Sequence, residues 1–222
     1  MAMDVSVQLD FKGKVVTTYP EYKNGWKVKA FADGSLQSLE GNQKYAYLFW
    51  AGEISFPDAH YLYKNGFCIE GTQSIEFLEN TLANIGLNTE EANDFIVYWL
   101  PMMQKNKYNI VHFWVDDNYD NSTFLTIQFK SQSELRLYME FKSSAIPVAI
   151  APQQFKTFIR KGFAVVEWGG ADLDINKTKV QELKTYNFIG FNNPESFFIV
   201  SEKYLMLGMS LSFFSPTFAA SK

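Results

Sequence analysis

Asn-Thr-Glu-Glu-Ala-Asn-Asp-Phe-Ile-Val-Tyr-Trp-Leu-Pro-Met-Met, at residues 88–103, is the stretch that decides the fold. Its large apolar residues recur at helical spacing, and they are Ala92, Phe95, Ile96 and Trp99. A stripe of this kind is typical of an amphipathic helix that turns one face towards a core. We therefore predict a helix here, with the rest of the chain packed around it.

The two ends of this helix are also marked. Asn88 can cap the first free backbone amides, and Glu91 can reach back to complete a capping box. Glu90 and Glu91 complement the positive end of the helix dipole. Pro101 is expected to end or kink the helix, since proline has no N–H for the ladder.

A second helix is predicted immediately before the first. Thr72 or Ser74 can cap it, and Gly86 followed by Leu87 suits a left-handed stop. Its apolar stripe consists of Ile75, Leu78, Leu82 and Ile85. Because the next helix starts at once, the sequence predicts an αα-hairpin over about residues 72–103.

The remainder of the chain favours strands. Several short segments have the aromatic and β-branched character of strands, and these are residues 5–18, 26–37, 44–50, 66–71, 108–115, 123–129, 135–141 and 163–168. Residues 5–18, around Lys12-Gly13-Lys14, suit a hairpin or two short strands, and residues 116–122 are interpreted as a hairpin loop. Residues 135–141 are interpreted as a strand with one buried face, because Leu137, Met139 and Phe141 alternate with Arg136, Tyr138 and Glu140. Gly169-Gly170 is interpreted as a strand end. We predict an α+β fold: an antiparallel, aromatic-rich β-sheet or sandwich with the αα-hairpin packed on it.

The composition changes towards the C-terminus. We predict a main α+β domain at residues 1–172 and a C-terminal extension at 173–222, packed on the main domain or on a partner chain. The apolar stretch at 204–220 alternates in character and contains Pro216. A membrane-spanning helix needs roughly 20 apolar residues, so this stretch predicts a strand rather than a span.

Charge and cysteine content narrow the function classes. The 222 residues carry a formal net charge of -4, which argues against general nucleic-acid binding, because such proteins concentrate Lys and Arg. The single cysteine cannot form an internal disulfide, and no secretory signal is recognised at the start. We expect a soluble cytoplasmic protein.

Five blocks of the sequence are distinctive in combination, and they are Tyr19-Pro20-x-Tyr22 with Gly25-Trp26, Tyr47-Leu48-Phe49-Trp50-x-Gly52, residues 91–101, Asn106-x-Tyr108-Asn109, and residues 160–170 ending in Glu167-Trp168-Gly169-Gly170. Together they resemble an uncharacterised protein family known mainly from bacteria. The Asn-, Lys- and Phe-rich style and the divergent tail are similar to a copy carried by a large DNA virus, which implies a virion location. The resemblance implies no reaction, cofactor or ligand.

The sequence predicts neither a metal site nor a cofactor. Two histidines and one cysteine without paired spacing do not match a zinc site. Asp116-x-Asn118-x-Asp120 resembles the start of a calcium loop, but Asn121 stands where glycine is required. A nucleophile pair of Cys68 with His60 or His112 is the weaker alternative to a core cysteine.

A carboxylate site is the main catalytic alternative. Glu167 has apolar neighbours that indicate burial, and a buried carboxylate needs a cation or donors. Arg136 and Arg160 are the candidate structural partners, and we favour an ion pair over a general acid or base. The alternative is a hydrolase or transferase that uses Glu167 with Asp172 or Asp174.

A second candidate set surrounds the exit of the helix. Its members are Asn93, Trp99, Asn106, Tyr108 and Asn109. Short amides of this kind usually bond local backbone, and the alternative is a polar binding pocket.

The recognisable blocks are rich in aromatic residues and poor in nucleophiles, bases and metal ligands. We therefore expect a non-catalytic binding or structural protein, either a viral particle component or a host-interaction component. A protein partner or self-association is the expected mode of action.

Overall fold

The computed structural model describes residues 2–116, 123–174 and 183–192. Within these residues the chain forms twelve strands and two α-helices. The strands are β1 (Met3–Phe11), β2 (Lys14–Tyr19), β3 (Trp26–Ala30), β4 (Leu36–Ser38), β5 (Lys44–Tyr45), β6 (Leu48–Ile54), β7 (Phe67–Glu70), β8 (Tyr108–Val115), β9 (Thr123–Gln128), β10 (Ser133–Ser144), β11 (Ala164–Asp172) and β12 (Leu183–Asn192). The helices are α1 (Ser74–Ile85) and α2 (Thr89–Met103).

Two sheets form the β part of the molecule. The larger has seven strands in the order β2-β6-β12-β11-β10-β8-β7, and the smaller has five in the order β5-β4-β3-β1-β9. All neighbours are antiparallel except β10 and β11, which run parallel. The fold is thus α+β and rich in antiparallel sheet, as the sequence predicted.

Both helices form where the local signals place them. Glu91 N donates to Asn88 Oδ1 and Asn88 N donates to Glu91 Oε2, each at 2.9 Å, so the predicted capping box is present. Gly86 has φ +112° and closes α1 in the left-handed conformation. Pro101 lies inside the last turn of α2, and the helix ends shortly after it at Met103.

The seven-stranded sheet buries side chains on both faces. One face packs on the helices, and the helical side chains of this core are Leu78, Leu82, Ile85, Phe95, Trp99 and Met103. The other face packs on the five-stranded sheet, and its buried residues include Leu48, Trp50, Val165, Ile189 and Phe191, against Val5, Val7, Trp26 and Val28. The large sheet is therefore the central layer between the helices and the small sheet.

Several strand predictions were wrong in their pairing. Of the two interpretations of residues 5–18, the two short strands are confirmed and the hairpin is wrong, because β1 pairs with β3 and β9 while β2 pairs with β6. Residues 116–122 do not close one either, since β8 and β9 belong to different sheets. The segment 44–50 divides into β5 and β6, again in different sheets. Local turn signals cannot indicate that the chain changes sheets.

The strand β11 runs through Gly169-Gly170 instead of ending there. A Cβ atom at Gly170 would lie 2.5 Å from the Met139 carbonyl oxygen and 3.1 Å from the Trp99 ring. Glycine here allows the α2 tryptophan to pack closely on the sheet. Strand β12 belongs to the predicted C-terminal extension. It lies between β11 and β6, so the extension contributes a strand to the main sheet.

The predicted strand at 204–220 lies outside the described residues. Among the helices that the structure describes, none is long and apolar enough to cross a membrane.

Candidate functional site

A buried carboxylate with two histidines beside it forms the most chemically distinctive cluster in the described chain. Glu140 of β10 is fully buried, although its alternation with Leu137, Met139 and Phe141 had predicted an exposed face. It pairs in register with His112 of β8. The segment between β6 and β7 covers it and contributes His60 from a short 3-10 turn, Asp58–Tyr61. The prediction was wrong because this cover comes from a distant part of the chain.

Three donors surround the Glu140 carboxylate. Tyr63 Oη donates to Oε2 at 2.6 Å, and Trp114 Nε1 donates to the same oxygen at 2.9 Å. His60 Nε2 lies 2.9 Å from Oε1 and 3.1 Å from Oε2. A buried carboxylate is tolerated when donors replace its water shell. Two of these donors, His60 and Tyr63, attach the segment of residues 55–65 to the sheet.

The ring of His60 is held on both faces. It stacks on Phe56 with ring centroids 4.2 Å apart and on Trp114 with centroids 5.0 Å apart. Because a carboxylate can only accept hydrogen bonds, His60 Nε2 carries the hydrogen atom that bonds to Glu140. The side chain is 11% exposed. The arrangement can orient one imidazole, and Glu140 acts through it as a positioning group rather than as an exposed acid.

Two neighbouring groups have perturbed ionisation. Burial lowers the pKa of His112, while its Nδ1 lies 2.9 Å from the Asn65 carbonyl oxygen. Burial, followed by the nearby Glu140 charge, raises the pKa of Tyr63 well above its ordinary value. Both shifts favour neutral side chains, so Tyr63 remains a donor to Glu140.

Because burial lowers the pKa of His112, we expect the free energy of unfolding to decrease in mild acid. Its folded pKa lies below its unfolded value, so the unfolded chain takes up the proton first as the pH falls. The stabilisation is complete above the unfolded pKa of about 6.5 and is lost towards the lowered folded pKa, with a slope of at most about 1.4 kcal/mol per pH unit. The variant His112→Asn keeps a donor for the Asn65 carbonyl, and urea unfolding between pH 7.5 and 5.5 should show a shallower loss than wild type. An equal loss in both proteins would contradict this assignment.

The predicted Glu167 site is an internal ion pair. Glu167 of β11 is fully buried, and Arg136 Nε donates to its Oε2 at 2.6 Å. Arg136 Nη1 also donates to the Thr123 carbonyl oxygen at 2.9 Å, which joins β9 of the small sheet to the large sheet. No protein partner within the described residues reaches Glu167 Oε1.

Arg160, the other predicted partner of Glu167, pairs instead with Glu91. Its Nη2 pairs with Glu91 of the capping box, and its Nη1 donates to the Gly86 carbonyl oxygen at 2.8 Å. The arginine therefore connects the segment between β10 and β11 to the turn of the αα-hairpin.

Asp172 and Asp174 bond to backbone rather than to Glu167. Asp172 Oδ1 accepts from the Asp174 amide at 2.9 Å, and Asp174 Oδ2 accepts from the Ser143 amide. Asp172 thus makes a local turn bond at the end of β11, and Asp174 connects the residues after β11 to β10.

The five candidate residues around the exit of α2 do not form one site. Trp99 is buried in the core, whereas Asn93 is exposed on α2. Asn106 Nδ2 donates to Asn109 Oδ1 at 2.7 Å, and Asn109 Nδ2 donates to the Met103 carbonyl oxygen at 2.9 Å. Tyr108 is half-buried at the start of β8. These amides secure the chain between α2 and β8, which is the local bonding that the sequence favoured.

The structure also places several residues of the metal and nucleophile alternatives. Groups of three His, Cys, Asp or Glu residues that could hold a metal ion do not occur among the described residues. Asp116 Oδ1 accepts from the Arg136 amide at 3.0 Å, while residues 117–120 of the calcium-like loop lie outside the described part. Cys68 Sγ accepts from the Val148 amide at 3.2 Å.

Strand β2 is the exposed edge of the large sheet. In the described chain it pairs with β6 alone, and none of its six residues is buried. Val16 is 51% exposed and Tyr19 is 61% exposed. The pairing shifts between Val15 and Thr17, which marks a bulge near the middle of the strand.

The opposite edge of the same sheet is covered. Gly66, just before β7, donates its amide to the Ala151 carbonyl oxygen at 2.8 Å, and Asn65 bridges to Ala151. The Val148 amide reaches Cys68 of β7. Residues 148–151 thus cover one edge of the main sheet, whereas within the described part of the chain the outer side of β2 has no strand partner.

Sequence reasoning missed Glu140, Tyr63 and Trp114 as a set. The available signal was Glu140 itself, a charged residue directly between the large apolar residues Met139 and Phe141. Comparison of the chain with protein-family models, with curated proteins and with solved structures gives no match.

Proposed function

We propose that this protein is a non-catalytic interaction domain that binds another protein by adding a β-strand to the outer edge of β2. The observation that carries the proposal is the exposure of β2, which offers an unpaired backbone edge among the described residues together with Val15, Val16 and Tyr19. In this mode of recognition the backbone hydrogen bonds supply affinity and alternate side chains supply specificity.

The state of the acidic residues supports binding over catalysis. Glu167 pairs with Arg136, Glu91 pairs with Arg160, and Glu140 accepts from three side chains. A hydrolase or transferase centred on Glu167 would need that carboxylate to reach solvent and a second titratable group. Its full burial beside an arginine favours a structural role.

The contrast between the two sheet edges gives the proposal its location. Residues 148–151 protect the β7 edge, whereas among the described residues β2 pairs with β6 alone. Tyr19 also contacts Tyr45 of β5 edge-on, with ring centroids 5.5 Å apart. An added strand at β2 would therefore meet aromatic surface from both sheets. A viral particle or host-interaction role is consistent with this binding mode and is part of the proposal.

A site-specific photo-crosslinker tests the location. We expect a benzophenone side chain at Val16 to form protein adducts in an extract of the source cells. The same side chain at Ile146, which is 67% exposed on the segment after β10, is the control position. Adducts at Val16 but not at Ile146 are expected. Equal labelling at both positions, or none at Val16, would contradict binding at β2.

A further inference from the structure

We infer that the strand added to β2 is β2 of a second copy of this chain, in antiparallel orientation about a two-fold axis. This inference rests on the proposed function and names the partner at that site. Pairing two such edges joins the seven-stranded sheets of both copies into one continuous sheet. An isologous contact of this kind is self-complementary by symmetry.

The charges at the two ends of the strand select the orientation. Lys12 and Lys14 stand at the start of β2, and Glu21 follows its end after Pro20. Both Lys12 and Glu21 are exposed. Antiparallel pairing brings the basic end of one copy to the acidic end of the other, whereas parallel pairing would place like ends together. Complementary charges at an interface fix orientation and register.

The strand sequence is compatible with pairing to itself. Residues 14–19 read Lys-Val-Val-Thr-Thr-Tyr. Antiparallel pairing centred between Val16 and Thr17 sets β-branched residues opposite each other, which is a favourable class of cross-strand contact. The same register brings Lys14 of one copy beside Tyr19 of the other, where an ammonium group can approach an aromatic ring.

The bulge at Val16 limits the length of this contact. It twists the strand and interrupts the regular ladder, so the pairing extends over at most the six residues of β2. Small interfaces of this kind are typical of reversible association. The dimer should therefore form and dissociate with protein concentration.

Sedimentation velocity on the full chain is the first test. We expect a monomer–dimer equilibrium, and we expect Val16→Lys to raise the dissociation constant at least about tenfold, which corresponds to about 1.4 kcal/mol. Ile146→Lys introduces the same charge at an exposed apolar position elsewhere and should leave the constant unchanged. A wild-type protein that stays monomeric at every concentration would overturn the inference.

A charge exchange tests the orientation. Glu21→Lys alone and Lys12→Glu alone should each weaken the dimer, and the double variant should restore it towards wild type. Glu76→Lys on α1 changes the net charge equally at an exposed position and should have no effect. Failure of the double variant to recover association would overturn the antiparallel arrangement.

Crosslinking of the purified protein separates this inference from the proposed function. Mixed unlabelled and ¹⁵N-labelled chains carrying the benzophenone at Val16 should give hybrid adducts that map to residues 14–21 of the other copy. Adducts within one chain to residues 204–220 would identify the C-terminal segment as the occupant and overturn the inference. A monomeric purified protein that still forms Val16 adducts in the cell extract would overturn only the second-copy assignment, whereas the absence of adducts in both would remove both proposals.

Discussion

Glu140→Ala is expected to destabilise the protein by about 3–5 kcal/mol, the range observed when one partner of a buried charged network is removed. The carboxylate is fully buried and accepts from His60, Tyr63 and Trp114. The truncation leaves all three donors without their acceptor and opens a cavity in the β10–β8 face. Since single domains have only about 5–15 kcal/mol of stability, this one change should remove a large part of it.

The effect should be concentrated in the 55–65 segment. The His60 amide donates to the Pro57 carbonyl oxygen at 2.9 Å, and this bond closes the 3-10 turn that presents the imidazole. Without Glu140 the imidazole loses its bond to β10, while the turn keeps its internal hydrogen bond and the stacking of His60 on Phe56 and Trp114. We expect hydrogen exchange at the His60 amide to accelerate much more than exchange in the α1 and α2 helices.

Two variants make the Glu140 measurement interpretable. Glu140→Gln keeps the shape and one acceptor oxygen, so it should cost less than the alanine change, although its amide group faces His60 Nε2. Glu134→Ala removes a carboxylate from an exposed position of the same strand and should change the unfolding free energy by no more than about 0.5 kcal/mol. A Glu140→Ala loss as small as that of Glu134→Ala in urea unfolding would contradict the buried network.

The helical part of the fold could be predicted because its signals are local. The Asn88–Glu91 capping box and the Gly86 stop each involve residues within a few positions of one another. Periodicity then indicated which faces are buried. Such features depend on short-range geometry, which the order of residues determines directly.

The strand partners could not be predicted in the same way. Each of β1 and β2 looks like half of a hairpin, yet Met3–Phe11 pairs with β3 and β9 while Lys14–Tyr19 pairs with β6. Alternation shows that a strand has two faces, but not which sheet it joins. The pairing depends on contacts between residues far apart in the chain, and these compete with the local turn.

The two buried glutamates, Glu167 and Glu140, differ in whether local sequence could indicate their burial. Glu167 was recognised because its immediate neighbours Val165, Val166 and Trp168 are apolar. Glu140 was assigned to an exposed face because its alternation with Leu137 and Met139 suggested a one-sided strand. Its burial comes from His60 and Tyr63, about eighty residues earlier in the chain. A cover that folds back from such a distance leaves no periodic pattern at the residue it buries.

Arg136→Met is the second change with a large expected effect, again about 3–5 kcal/mol of lost stability. It leaves the fully buried Glu167 without its cation, and it removes the Arg136 bond to the Thr123 carbonyl that joins β9 to the large sheet. A buried unpaired carboxylate must either remain charged at high cost or take up a proton. Equilibrium urea unfolding at neutral pH measures the loss.

The double variant Arg136→Met with Glu167→Leu separates the two contributions. Replacing a whole buried ion pair with apolar residues is often close to neutral, so most of the stability should return. A remainder of about 1 kcal/mol is expected from the lost hydrogen bond between Arg136 and the Thr123 carbonyl oxygen. If the double variant were as unstable as Arg136→Met alone, the pair would not be the source of the loss.

Glu167→Gln then distinguishes a structural carboxylate from a reacting one. The amide fits the same space but weakens the bond to Arg136 Nε, so a structural role predicts lower stability with β2-edge association unchanged below the unfolding transition. A catalytic role predicts instead that an activity disappears while stability is nearly retained. Because Glu167 is fully buried and its Oε2 lies 2.6 Å from the guanidinium, the first outcome follows from the packing of β10 against β11.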